Sequence, residues 1–414
     1  MSRRRFVKMA VALALAGTAM TGLGTAALWL EHRTPLTLPV PTGPFAVGRL
    51  IADWMDRSTT DTLAPTAGAK RELLVWIWYP AAPDDAAAAG EYLPAGSRRA
   101  VERTRGLLIS GLLTRDLANV RAHAAAGAAV STREPSYPVV LLRGGASLAV
   151  WNYTTLAEDL ASHGYVVVGI DAPYRTNAVA FPDGRVARRL PQNNPERCLD
   201  RAGTDRAACV DRLLRAWTGD MSFALDRLED LNAADPTGRF TGRLDLTRVG
   251  VLGHSFGGAQ AAQFCHDDPR CTAGIDLDGA PVGSVVREGL DRPFMFLLGE
   301  HASEPDAAQV EADIRSIYDR LPATERLLVL IRGANHFAFS DDGALLKSGS
   351  MRAALRLFGQ LHLDGRRQLA VTAYCVRGFF GAFLERSGAT PPDLRSPRYP
   401  EIEIERHLRA GGLK

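Results

Sequence analysis

Lysine is almost missing from this chain: Lys8, Lys70, Lys347 and Lys414 stand alone among 49 basic residues. The arginines are scattered and the formal net charge is +3, so no basic face marks the chain for nucleic acid. Cysteine is sparse as well. The five cysteines form no C-x-x-C pair and have no histidine cluster beside them, which argues against a metal site. The first of them is Cys198, which excludes a lipoprotein anchor in the amino-terminal segment. No internal repeat is evident. What remains is the make-up of a globular protein with a full core, 46% hydrophobic and 23% charged, and its 414 residues lie within the reach of one α/β domain with insertions.

The amino terminus is a targeting segment. Ser2-Arg3-Arg4-Arg5-Phe6-Val7-Lys8 is similar to a bacterial twin-arginine export signal. Met9 to Leu30 follows as 22 uncharged residues, long enough to span a bilayer. Ala26 or Ala27 offers a small-residue cleavage site, although no clean A-x-A closes the run. Residues 1–31 are read as a signal or retained anchor, and residues 32–414 as one exported domain, whether periplasmic, secreted or membrane-anchored. Export suits two local disulfides, Cys198 with Cys209 and Cys265 with Cys271, and leaves Cys375 as a buried free thiol.

Residues 32–45 read as an extended lead-in, and Glu72 to Pro80 as a strand ending at proline. A surface loop over 82–90 precedes an expected helix from Val101 to Ala129. The Leu107–Leu113 apolar cluster of that helix is expected to pack inward, with a lipid surface as the alternative. Pro138–Leu142 and Tyr165–Asp171 are buried strands around a helix from Thr155 to Ser162, which implies parallel pairing through a right-handed crossover. Residues 172–215 read as a polar, irregular insertion over the carboxyl edge of the sheet, followed by an amphipathic helix from Met221 to Leu231. Strands follow at 246–252, 273–278, 294–299 and, as the last, 327–331, with a terminal helix over 368–384. The alternation specifies an α/β fold with a doubly wound, mostly parallel sheet.

Gly253-His254-Ser255-Phe256-Gly257 lies between the 246–252 strand and a helix start at Gly258. G-x-S-x-G in that setting is the nucleophile elbow of an α/β-hydrolase, and the glycines answer to its sharp turn. A serine nucleophile needs a base, an acid that orients the base, and N–H donors for the oxyanion. His336, in the loop after the last strand, is the expected base, whereas His254 beside the serine is assigned to packing. Asp276 and Asp278 share a strand face, so periodicity does not separate them. Asp278 is favoured because it opens the Gly279-Ala280-Pro281 turn, and Glu300 or Asp306 after the next strand is the alternative. The backbone N–H groups of Phe256 and of Gly145, the latter in the turn after Pro138–Leu142, are the expected oxyanion donors.

Leu38-Pro39-Val40-Pro41-Thr42-Gly43-Pro44-Phe45, Trp76-Ile77-Trp78-Tyr79-Pro80, Leu160-Ala161-Ser162-His163-Gly164-Tyr165 and Gly253-His254-Ser255-Phe256-Gly257-Gly258-Ala259, in this order, resemble the secreted platelet-activating factor acetylhydrolases and their bacterial relatives. The resemblance runs over about residues 38–385. It implies a calcium-independent serine hydrolase that cleaves the short or oxidised sn-2 acyl ester of glycerophospholipids. It places the acid on Asp278, the base on His336 and the oxyanion amides on Gly145 and Phe256. Arg143-Gly144-Gly145-Ala146 departs from the family's H-G-x-G, and Gly279-Ala280-Pro281-Val282-Gly283 replaces its bulky segment after the acid. Both departures lie near the acyl pocket and keep three readings open beside the phospholipid esterase: a general short-chain carboxylesterase, a dienelactone or polyester hydrolase, and an exported non-catalytic binding protein. The expected partner is a small-molecule or lipid ester, with contact to a membrane surface and without metal or organic cofactor.

Overall fold

Runs of β-branched and aromatic residues set the frame. The computed structural model describes residues 3–82, 90–106, 114–146, 148–300, 306–346, 362–385 and 391–404. Among the described residues ten strands form one sheet: β1 (Ala46–Thr60), β2 (Lys70–Ala81), β3 (Ala125–Ala126), β4 (Tyr137–Arg143), β5 (Val166–Asp171), β6 (Leu244–His254), β7 (Cys271–Leu277), β8 (Phe294–Leu298), β9 (Arg326–Ile331) and β10 (Ile402–Ile404). Their order is β10-β9-β8-β7-β6-β4-β5-β2-β1-β3. The six strands from β9 to β5 are mutually parallel, while β10, β2 and β1 pair antiparallel with their inner neighbours.

The parallel strands are buried on both faces, as strands covered by crossover helices must be. In β4, Val140 and Leu142 join one core layer and Val139 and Leu141 the other. One layer is closed by α2 (Thr154–Ser162) and α6 (Gly365–Phe383), the other by α3 (Gly203–Ala234), α4 (Phe256–Asp267) and α5 (Ala307–Tyr318). This is the doubly wound α/β-hydrolase arrangement expected from the strand–helix alternation.

Three local expectations are corrected. The helix from Val101 to Ala129 ends at Arg105, and residues 114–129 are turns and short strands. Backbone pairing overrides propensity there. Val120–Arg121 pairs with Leu36–Thr37, and the buried Glu158 carboxylate accepts the His123 and Ala124 N–H groups. The Leu107–Leu113 cluster and residues 83–89 of the expected loop lie outside the described residues.

The insertion is more regular than expected: Ala178–Ala180 pairs antiparallel with Val186–Arg188, Glu196–Leu199 is a helical turn, and α3 begins at Gly203. The polar character of 203–215 is the solvated side of a helix whose other side buries Cys209, Leu213, Leu214 and Trp217. Third, β9 is not last, since β10 pairs with its outer edge. In addition, β1 is a 15-residue strand that no apolar run announces, carrying Arg49, Asp53, Asp56 and Arg57 among its residues.

The amino-terminal segment is helical, α1 (Arg3–Arg33), and its end is fastened to the domain. His32 is buried with Nδ1 2.6 Å from the Thr114 carbonyl, and Arg115 pairs with Glu31 at 3.4 Å. Among the described residues no helix is long and apolar enough to cross a membrane. Disulfides join Cys198 to Cys209 and Cys265 to Cys271, and Cys375 is a buried free cysteine.

Candidate active site

β6 ends at His254 and α4 begins at Phe256, so Ser255 occupies the bend between them with φ 57° and ψ −126°. A residue other than glycine rarely holds such a conformation, and it persists only where its surroundings enforce it. Here they do. The Ser255 N–H donates to the Leu277 carbonyl at 2.8 Å, and the Gly258 N–H donates to the Ser255 carbonyl at 2.8 Å. A Cβ on Gly253 would overlap the Gly257 carbonyl, and one on Gly257 would lie 2.6 Å from the Arg143 and Gly144 carbonyl oxygens. The two glycines of the motif are therefore required by contact as well as by turn geometry.

Ser255 Oγ stands 3.1 Å from His336 Nε2, and His336 Nδ1 stands 2.7 Å from Asp278 Oδ2. The second oxygen of Asp278 accepts the Gly299 N–H at 2.6 Å, so its carboxylate is held from both sides. The Asp278 side chain is 1% exposed and that of His336 31%, which leaves the imidazole open to solvent and the acid sealed behind it. The structure thus brings Ser255, His336 and Asp278 into one hydrogen-bonded line.

Asp276 is placed elsewhere. It is buried beneath the elbow, accepts the Gly279 N–H at 2.8 Å, and burial, with the Asp278 charge adding to it, holds its carboxyl well above the usual carboxylate range. Held there by the Gly279 N–H, it suits a structural role. Glu300 is exposed, and Asp306 is exposed at the start of α5. Asp278, not either of these, holds His336 Nδ1.

The loop that carries His336 is clamped by residues that sequence reasoning missed. Gln368 of α6 accepts the Asn335 N–H and donates to the Asn335 carbonyl, each at 2.8 Å. The Asn335 side chain accepts the Phe337 N–H at 3.0 Å and so caps the turn His336–Phe339. Asn335 beside the histidine was the only local signal, and Gln368 lies 33 residues away.

Of the two expected oxyanion donors, Phe256 is the first residue of α4, where an N–H has no partner within the helix. Gly145 is the second. It lies against the serine, since a Cβ built on it would be 3.3 Å from Ser255 Cβ, but its N–H donates to the Tyr153 hydroxyl at 3.0 Å. The amide expected to be open to an oxyanion already has a protein acceptor.

Arg143, at the histidine position of the H-G-x-G pattern, does not face the serine. Its buried guanidinium donates to Gln260 Oε1 at 2.8 Å and to the Ile170 carbonyl at 2.7 Å, and it lies over the Trp217 ring. Burial lowers its pKa to about 10. Trp217 in turn meets the Phe256 ring edge-on at 5.2 Å.

Among the described residues no group of three His, Cys, Asp or Glu side chains is placed to hold a metal. The arrangement can generate a serine nucleophile, relay its proton to an imidazole and stabilise the resulting imidazolium.

Comparison with known proteins points the same way. The family described as platelet-activating factor acetylhydrolase, isoform II, matches residues 31–374. A protein of Arthroderma benhamiae named "Probable 1-alkyl-2-acetylglycerophosphocholine esterase" is 25% identical over 413 residues, covering 93% of this chain and 98% of that protein. Platelet-activating factor acetylhydrolase of Cavia porcellus is 27% identical over 220 residues; this match covers 50% of the chain and 48% of the relative, about half its length. Among solved structures, a ferulic acid esterase from Streptomyces cinnamoneus superposes with a TM-score of 0.70 at 28% identity, covering 90% of this chain and 99% of that one.

Proposed function

The chain belongs to the isoform II platelet-activating factor acetylhydrolase family of ester hydrolases, and we propose that it cleaves the short or oxidised sn-2 acyl ester of glycerophospholipids through Ser255, His336 and Asp278. The hydrogen-bonded line from Ser255 Oγ through His336 to Asp278 carries this reading. Ser255 Oγ attacks the acyl carbonyl while His336 Nε2 takes its proton. Asp278 accepts the Nδ1–H and stabilises the imidazolium. The Phe256 N–H stabilises the oxyanion, joined by the Gly145 N–H, which stays oriented by the Tyr153 hydroxyl and divides its hydrogen bond between the two oxygens. The lysolipid alcohol leaves with the proton held by His336. Water, deprotonated by the same imidazole, then attacks the acyl-enzyme, frees the carboxylic acid and restores the serine.

A second reading, a general short-chain carboxylesterase, uses the same residues. It is favoured by the small Gly279–Gly283 segment after the acid and by the likeness to a ferulic acid esterase. Turnover of a 2-acetyl glycerophospholipid, its 2-palmitoyl counterpart and p-nitrophenyl acetate by the purified chain separates the two. The phospholipid reading expects kcat/KM to be highest on the 2-acetyl lipid. Turnover of the nitrophenyl ester alone contradicts it. Export through the twin-arginine-type segment belongs to the same proposal, supported by the two cysteine pairs; cytoplasmic protein with four free thiols contradicts it.

A further inference from the structure

A chain of buried hydrogen bonds runs behind Ser255 and joins the turns after β4, β6 and β9. His254 Nε2 lies 2.9 Å from the His336 carbonyl, His254 Nδ1 lies 2.8 Å from the Tyr153 hydroxyl, and that hydroxyl receives the Gly145 N–H at 3.0 Å. Tyr153 and His254 are 0% and 1% exposed, so no water replaces a missing partner. Burial, with His336 beside it, pushes the His254 pKa down to about 3, so its ring carries one proton.

The direction of every bond follows. A carbonyl only accepts, so the His254 proton is on Nε2. Nδ1 must then accept, the Tyr153 O–H must donate to it, and the Tyr153 oxygen is left to accept from Gly145. The His254 ring also packs on the His336 ring, with centroids 4.6 Å apart.

From this geometry we infer that Tyr153 and His254 are positioning residues for ester hydrolysis, which lock the Gly145 peptide and the His336 loop to one another across the elbow. The inference rests on the reading of Ser255, His336 and Asp278 as the reacting set. Neither loop shifts without leaving a buried donor or acceptor unpaired. The placement is of the kind on which rate depends, because small misplacements of reacting groups slow the chemical step.

The test compares Tyr153→Phe, His254→Leu, His254→Gln and the Tyr153→Phe/His254→Leu pair on p-nitrophenyl acetate. Rates are taken per active site, counted by fluorophosphonate incorporation at Ser255. Tyr153→Phe and His254→Leu are expected to lower kcat by about 10- to 100-fold with KM within about threefold. The pair should be no slower than the slower single variant, because both break one chain. His254→Gln, which retains an amide donor and acceptor, should recover part of the rate. A Tyr153→Phe kcat at or above wild type overturns the inference, as does a pair whose losses multiply. A lowered melting temperature with unchanged kcat per labelled site also overturns it, assigning the chain to stability alone. Absence of label on Ser255 in the unaltered protein sinks the reacting set itself, and the inference with it.

Discussion

Two turns meet at Ser255, and they are held by different means. The elbow is held by its own backbone: five consecutive residues, a serine at φ 57°, and glycines at 253 and 257 where a side chain would collide with neighbouring carbonyls. The Arg143–Ala146 turn opposite it is held by long side chains. Arg143 reaches Gln260 and Ile170, 117 and 27 residues away, and Gly145 leans on Tyr153, 8 residues away. Local strain leaves a mark in the sequence because only glycine relieves it. A scaffold of distant side chains leaves none.

Breaking what both turns serve should have the largest effect. Ser255→Ala is expected to lower kcat by roughly 10⁴-fold or more with an unchanged circular dichroism spectrum. The two carboxylates at the tip of β7 sharpen the contrast next. Asp278→Asn should cost roughly 10³- to 10⁴-fold in kcat, since the amide no longer fixes the His336 tautomer. Asp276→Asn should leave kcat within about tenfold, because an amide oxygen can accept the Gly279 N–H in its place and Asp278, not Asp276, holds His336. Equal losses would erase the distinction between them.

The turns themselves separate by observable. Gly257→Ala should displace the elbow and cost about 100-fold in kcat for a shift near 1 Å. Arg143→Met removes the donor to the buried Gln260 and Ile170 oxygens, so it should cost about 3 kcal/mol of stability by denaturant titration. An Arg143→Met variant as stable as the unaltered chain would show that the second turn does not depend on its side chains.

The smallest effect concerns Asp171, which accepts the Val150 N–H at 2.9 Å beneath the same turn. Burial raises its pKa to about 7, against the opposing pull of that hydrogen bond and of Arg143. The folded state therefore holds a proton that the unfolded chain has released above about pH 4. Its contribution to stability is complete below about pH 4 and declines as pH rises toward 7. Asp171→Asn should flatten that decline in urea titrations across the interval, and an unchanged slope would count against it.

Much of the fold was legible in the sequence. Pro138–Leu142, Tyr165–Asp171 and Phe294–Gly299 are apolar runs of strand length, and parallel strands buried on both faces take that form. β1 was not legible, because its mixed polar residues pair at the sheet's flank and show no such run. Residues 114–129 were misread because their structure is set by Glu158 and by pairing with Leu36–Thr37, partners remote in sequence. At the site, the serine and histidine were legible from turn context. Asp278 was favoured over Asp276 from the turn it opens, although periodicity did not separate them, and the Gly299 N–H and the His336 ring show how it is held. Gln368 and Tyr153 carry no motif, and their roles exist only in the folded chain.

The central claim is that one hydroxyl, on Ser255, reacts with esters because His336 and Asp278 activate it. Fluorophosphonate treatment followed by peptide mass mapping tests it most directly. A single adduct on the peptide bearing Ser255, rising in step with the loss of p-nitrophenyl acetate turnover, is the predicted result. An adduct on another residue, or turnover that survives full modification of Ser255, contradicts it.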